Sequence, residues 1–220
     1  MPFKTKKPIK NCLLFEFDNQ KELALSFCRV EEYYEGKPSV NGKYLTLEDF
    51  LDAFMDKDGN ITYFNYWSGF NIPGNIFKKW WDEPYASEKT KWETKLADEV
   101  SRKLDLEKPF YIIGGLKGDM NVIDHEIAHA LYYMNESYKV EMEDLNYHFF
   151  KTHRMQYSKM VKKLKKMGYG ENVIRDEIQA YMSTSYKKEL VETFGLDYST
   201  ILPMVKQYRK VLSRHNTHKK

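Results

Sequence analysis

Cysteine is nearly missing from this chain, which has two, Cys12 and Cys28, in 220 residues. Two thiols cannot build a disulfide framework, and their spacing is not that of a metal knuckle, so reduced, packed side chains are expected. Long hydrophobic runs are missing too. Apolar stretches last a few residues, against the roughly 20 that a helix needs to cross a bilayer, and Met1-Pro-Phe-Lys-Thr-Lys-Lys7 has no apolar segment behind it. The expectation is a cytoplasmic protein without a membrane span or a secretory signal. An excess of one charge is the third absence. With 35 Lys and Arg against 32 Asp and Glu, the net charge is +3, which gives no global basic character to attract nucleic acid. Local clusters exist, at Lys162, Lys163, Lys165 and Lys166 and from Lys206 to Lys220, but four lysines within five residues cannot share one helical face and read as solvated surface. Internal repeats and low-complexity tracts are also lacking.

What is present is enough apolar and aromatic material, 42% and 15% of the chain, for one sizeable core or two small lobes. The first half alternates short strand-like runs with turn signals. Leu13–Phe17, Ala24–Val30, Lys43–Leu45 and Ile61–Tyr66 read as strands, punctuated by Asn41-Gly42 and Asp58-Gly59. A hairpin turning at Asp18-Asn-Gln20 would set Cys12 opposite Cys28. Thr46-Leu-Glu-Asp49 is a capping pattern that opens a helix through Phe54 or Met55, and a second helix begins near Ser87 with Trp92, Leu96, Val100 and Leu104 at intervals of four. Beyond residue 121 the pattern is helical, with segments near 122–134, 139–167, 171–194 and 199–213 and glycine stops at 168, 170 and 195. The expected class is α+β: one domain, with a small N-terminal mixed or antiparallel sheet and helices over about 1–118, then a mainly helical lobe over about 119–215. Asp56-Lys-Asp-Gly-Asn60 resembles a calcium loop only superficially, since its glycine stands at loop position four and Trp67 occupies position twelve; a tight turn is expected. Trp67–Gly74 reads either as an aromatic lid or as a packed connection.

The segment that carries chemistry is His125-Glu-Ile-Ala-His129. On a helix, residues four apart stack on one face, so both imidazoles can reach one metal ion while Glu126 projects beside them as a base for activating water. Its context is that of a helix entered from a strand. Phe110-Tyr-Ile-Ile113 is a β-branched and aromatic run, Gly114, Gly115 and Gly118 break it, and Asp119-Met-Asn121 is a start signal. Val122, Ile127, Ala130, Leu131 and Met134 then form an apolar side. The bland reading of the two histidines is hydrogen bonding within a core.

Over residues 110–134, and suggestively to about 184, the chain resembles the zincin superfamily of zinc metallopeptidases, whose active-site helix carries His-Glu-x-x-His. The resemblance implies that His125 and His129 are zinc ligands and Glu126 the general base. Catalytic zinc takes three protein ligands, so one more is required. The metzincin solution fails, because Tyr132 and Asn135 stand where its glycine and third histidine belong. The gluzincin solution is a glutamate on a later helix. Glu177 is the candidate, since Val173, Ile174, Ala180 and Tyr181 flank it at helical spacing and place its carboxylate on an apolar side, where an ion compensates its desolvation. Asp176, His148 and His153 are alternatives, and a salt bridge to a lysine or arginine is the structural one.

Two histidines and one glutamate would leave a zinc site with net charge of about +1. Glu126 would move the proton, and Tyr181, one turn beyond Glu177, would be the second electrophile, with Tyr133 and His153 as weaker choices. If Phe110–Ile113 were an exposed sheet edge, a peptide substrate could add there as a strand. The expected function is therefore a zinc-dependent metallopeptidase acting on peptides or proteins. Two other classes are a catalytically silent zincin-like regulatory or interaction module and a nucleic-acid-binding protein using the basic helical half.

Overall fold

The computed structural model describes residues 3–36, 41–65, 67–83 and 88–216. The chain forms two compact units, Met1–Ile123 and Asp124–Lys220. The first is mixed α/β. Its strands β1 (Phe3–Lys6), β2 (Cys12–Phe17), β3 (Gly69–Pro73) and β4 (Tyr111–Leu116) make one sheet in the order β1-β2-β4-β3. β4 runs parallel to β2 and antiparallel to β3, while β1 pairs antiparallel with β2. β2 is buried along its whole length, which is why its sequence is a nearly unbroken apolar run instead of an alternating one. The helices of this unit are α1 (Gln20–Glu35), α2 (Leu47–Phe54), α3 (Gly74–Trp81) and α4 (Lys91–Lys103). α2 and α4 begin with the reciprocal capping boxes Thr46/Asp49 and Thr90/Glu93. Ser87, where the sequence suggested the second helix starts, lies outside the described residues.

Several strand expectations are corrected. Ala24–Val30 belongs to α1, not to a hairpin. Asn19 is the N-cap, accepting from the Glu22 backbone N–H at 2.9 Å, and the buried Leu23, Phe27 and Val30 follow a helical period that outweighs the local β-propensity. Cys12 and Cys28 therefore sit on a strand and a helix, both free and buried, with burial pushing both thiols up. Within Ile61–Tyr66 the described residues form a 3-10 turn, Thr62–Asn65. Tyr63 packs edge-on against Phe50 and Phe54 of α2, so its aromatic character serves a cluster and not a ladder. Lys43–Leu45 pairs with no strand; the Leu45 carbonyl instead accepts from the buried Arg29 guanidinium, which is held by Glu93. Asp56–Asn60 is the expected tight turn, closed by backbone N–H groups on Asp56 Oδ1 that lower its pKa. Trp67–Gly74 is mostly β3, with Phe70 stacked on Phe27. β1 was unforeseen, because its single anchor, Phe3 packed on Phe15 and Phe17, is a weak signal.

β4 carries the most consequential correction. It has a neighbour on each side, β2 and β3, so Phe110–Ile113 is not an exposed edge and cannot take up an added strand. Gly114 and Gly115 lie inside it instead of ending it. Gly118, at φ 87°, makes the turn that a side chain would strain, and Asp119 Oδ1 accepts from the Val122 N–H as α5 (Met120–Met134) begins.

Among the described residues the second unit is helical throughout: the rest of α5, then α6 (Glu136–Thr152), α7 (Arg154–Met167), α8 (Ile174–Thr184), α9 (Lys187–Glu192) and α10 (Tyr198–His215). The segment 139–167 is two helices, broken at His153. There Thr152 Oγ1 bonds the His148 carbonyl and the His153 ring, a local competitor to helical pairing. The segment 171–194 divides at Ser185, whose carbonyl accepts from Arg209. Gly168 closes α7 in the left-handed conformation. A buried polar chain, Tyr208 Oη to Asn146 Oδ1 at 2.8 Å and Asn146 Nδ2 to the Arg175 carbonyl at 3.0 Å, joins α10, α6 and the first turn of α8. No helix among the described residues is long and apolar enough to cross a membrane.

A methyl group at position 114 would stand 2.5 Å from the Phe27 ring and 3.0 Å from Leu23, and Phe27 cannot retreat from Phe15, Phe17 and Phe70. Gly114→Ala should therefore cost about 1–3 kcal/mol, read as a lower urea midpoint with an unchanged slope.

Candidate metal centre

One helical turn separates His125 from His129 on α5, which sets their rings edge to face with Nε2 atoms 3.2 Å apart. Glu177, in the first turn of α8, places Oε1 3.7 Å from His129 Nε2 and Oε2 3.9 Å from His125 Nε2. One ligand atom from each residue lies within 4.8 Å of the others, and the group could hold a metal ion. Glu177 faces His125 and His129, while the neighbouring Arg175 pairs with Glu143 at 3.1 Å.

The outer nitrogens decide what the inner ones offer. His129 Nδ1 lies 2.9 Å from Asp176 Oδ1, and a carboxylate only accepts, so Nδ1 carries the hydrogen. His125 Nδ1 lies 3.3 Å from Thr184 Oγ1, whose own hydrogen goes to the Ala180 carbonyl at 2.7 Å. Thr184 must then accept, and His125 Nδ1 must donate. With Nδ1 carrying the hydrogen on each ring, a neutral pair would direct both Nε2 lone pairs into the same small space; a proton on His129 shared with His125 across 3.2 Å, or a metal ion, satisfies them.

Burial, with the charge of His129, holds His125 well below the ordinary histidine pKa. Burial also opposes a charge on His129, yet Asp176 and Glu177 together overcome it and raise His129 well above the ordinary value. Without an ion, the pair thus favours a proton on His129.

The donor set is one that zinc accepts: imidazole nitrogen and carboxylate oxygen bind it at roughly 2.0–2.2 Å, which puts two donors of a tetrahedral ion about 3.3 Å apart, against 3.2 Å between the two Nε2 atoms and 3.7 and 3.9 Å from these to the Glu177 oxygens. Three protein donors also leave the fourth position that a catalytic ion requires. Neither cysteine belongs to this group.

The other expected residues divide. Glu126 is buried, and its charge contributes to raising the pKa of both His129 and Tyr181. Tyr181 packs its ring on His125, with centroids 4.7 Å apart, and on Phe194 at 4.8 Å; burial holds its phenol above the ordinary range. Tyr133 is exposed. His148 is exposed, and His153 caps the junction of α6 and α7; neither joins the cluster. Asp176, an alternative third ligand from sequence, instead holds the far side of His129. Sequence reasoning missed Thr184, Gln179 and Tyr138. Gln179 Nε2 donates to Asp176 Oδ1 at 2.8 Å, and Tyr138 Oη donates to Gln179 Oε1 at 2.7 Å. A usable signal existed for Thr184: Glu177, Tyr181 and Thr184 are spaced by four and three, along one helical face.

No family model, curated protein or solved structure matches this chain.

Proposed function

We propose that this protein is a zinc-dependent metallopeptidase of zincin type, with His125, His129 and Glu177 as metal ligands and Glu126 as general base. The observation that carries the reading is the pair of imidazole Nε2 atoms facing each other at 3.2 Å, each oriented by a hydrogen bond on its far nitrogen and faced by one carboxylate. A bound zinc supplies Lewis acidity, polarising a carbonyl and making a water acidic enough to react near neutral pH. Glu126 accepts the proton of the attacking water and delivers it to the departing nitrogen, a transfer that an amide needs because its amine is a poor leaving group. Tyr181, kept protonated by burial, donates a hydrogen bond to the oxygen that gains charge. Asp176 and Thr184 hold the two imidazoles in the required tautomers.

Glu126→Gln should retain zinc while lowering the rate of peptide hydrolysis by a factor on the order of 10²–10⁴, assayed with a mixture of internally quenched fluorescent peptides and metal analysis of the same samples. Wild-type turnover in that variant would remove Glu126 from the base role. His129→Ala and Glu177→Ala should each lose the metal; unchanged zinc affinity in Glu177→Ala would transfer the third-ligand role elsewhere.

Stripping the ion should also destabilise the fold. Zinc at a hundredfold excess over its dissociation constant contributes about 2.7 kcal/mol, so adding a chelator should lower the thermal midpoint followed by far-ultraviolet circular dichroism. An unchanged midpoint in wild type would count against a metal site.

A further inference from the structure

Beyond the ligands, the helical unit holds a chain of hydrogen bonds whose direction is determined at one end. Asp176 Oδ1 receives two donors, His129 Nδ1 at 2.9 Å and Gln179 Nε2 at 2.8 Å. Because an ionised carboxylate has no hydrogen to give, the Gln179 side chain must present its NH₂ group to Asp176 and its carbonyl to the opposite side. There it meets Tyr138 Oη at 2.7 Å, which must therefore donate. Both Gln179 and Tyr138 are fully buried, so no water can replace either partner, and a flipped amide would set two oxygens against each other. The Tyr138 ring is itself seated edge-on against His215, and His215 bonds to Glu141 at 3.0 Å and to Asn135 at 3.2 Å.

We propose that Gln179 and Tyr138 are positioning residues for the metal centre: the buried chain Tyr138–Gln179–Asp176 holds the carboxylate where it orients His129, so that α6, which contributes no ligand, sets the affinity of the site. The inference rests on the zinc reading above. Gln179 acts by occupying one lone pair of Asp176 Oδ1 and leaving the other for His129. Tyr138 acts by preventing the Gln179 amide from turning over. Asp176→Ala removes the link itself.

The test is zinc affinity of the full chain, measured by competition with a chromophoric chelator, together with the visible absorption of the cobalt-substituted protein. Asp176→Ala should weaken zinc by roughly 10- to 100-fold, and Gln179→Met and Tyr138→Phe by at least about threefold each with an altered cobalt spectrum. Gln179→Glu replaces the donor by a second acceptor and should weaken binding more than Gln179→Met. In the Asp176→Ala background, Gln179→Met and Tyr138→Phe should have no further effect, since nothing remains for them to position. A merely structural role would instead give losses of affinity that multiply with that of Asp176→Ala and leave the cobalt spectrum unchanged. That result, or wild-type affinity and spectrum in both single variants, overturns the proposal while leaving the metal centre intact. A wild-type protein that binds no divalent ion overturns both. Tyr138→Phe keeps the packed ring, so it decides the question if the Gln179 variants fail to fold.

Discussion

The Nε2 atoms of two packed imidazoles stand 3.2 Å apart, where neutral rings with hydrogens on their outer nitrogens would set two lone pairs against each other, so the pair has to take up a proton or a cation. A histidine left to itself would turn, exchange tautomers or move into solvent. Here each ring is held by its outer nitrogen, His129 by Asp176 and His125 by Thr184, so neither has that freedom. A proton on His129 can satisfy the pair in one way. A divalent ion would satisfy it in another and take the Glu177 carboxylate as a ligand; the same carboxylate, 3.7 and 3.9 Å from the two Nε2 atoms, also favours the proton on His129.

The burden of orientation falls on α8. In eleven residues it provides the acid that faces both rings, the carboxylate behind His129, the hydroxyl behind His125 and the aromatic ring that packs on His125. Glu177, Tyr181 and Thr184 share one face by helical spacing, and Asp176 and Gln179 lie along its flank. A helix this short has little intrinsic stability. It is held by burial of Ile174, Ile178 and Met182 and by the Asn146 amide on the Arg175 carbonyl. Site geometry and packing are thus carried by the same few turns, so a substitution on α8 is expected to affect stability and metal affinity together. Only coupling measurements separate the two.

The site was more legible in the sequence than the fold was. Two histidines and a glutamate within five residues announce their chemistry because helical spacing alone places them, with no distant contact needed. Glu177 was recoverable by a second step of the same kind, a carboxylate on an apolar stripe. Asp176 was visible as an acid and weighed as an alternative third ligand, whereas its carboxylate faces the outer nitrogen of His129. Adjacent residues on a helix differ by about 100° in direction, and nothing in the sequence says which neighbour faces the inner and which the outer nitrogen. Gln179 and Tyr138 were invisible, since a buried amide bonded to a buried phenol leaves no trace in composition or period. In the first unit, Ala24–Val30 misled because an apolar run with a β-branched residue and aromatic neighbours suits a strand as well as a helix. The deciding signal, Asn19 as an N-cap to Glu22, was read as a turn.

The position of β4 constrains how a substrate could be held. With β2 and β3 on either side, its backbone donors and acceptors are already paired, so an extended chain cannot bind there by adding a strand. Among the described residues the edges of the sheet are β1 and β3, so backbone pairing, which tolerates almost any residue, is open only at those two strands.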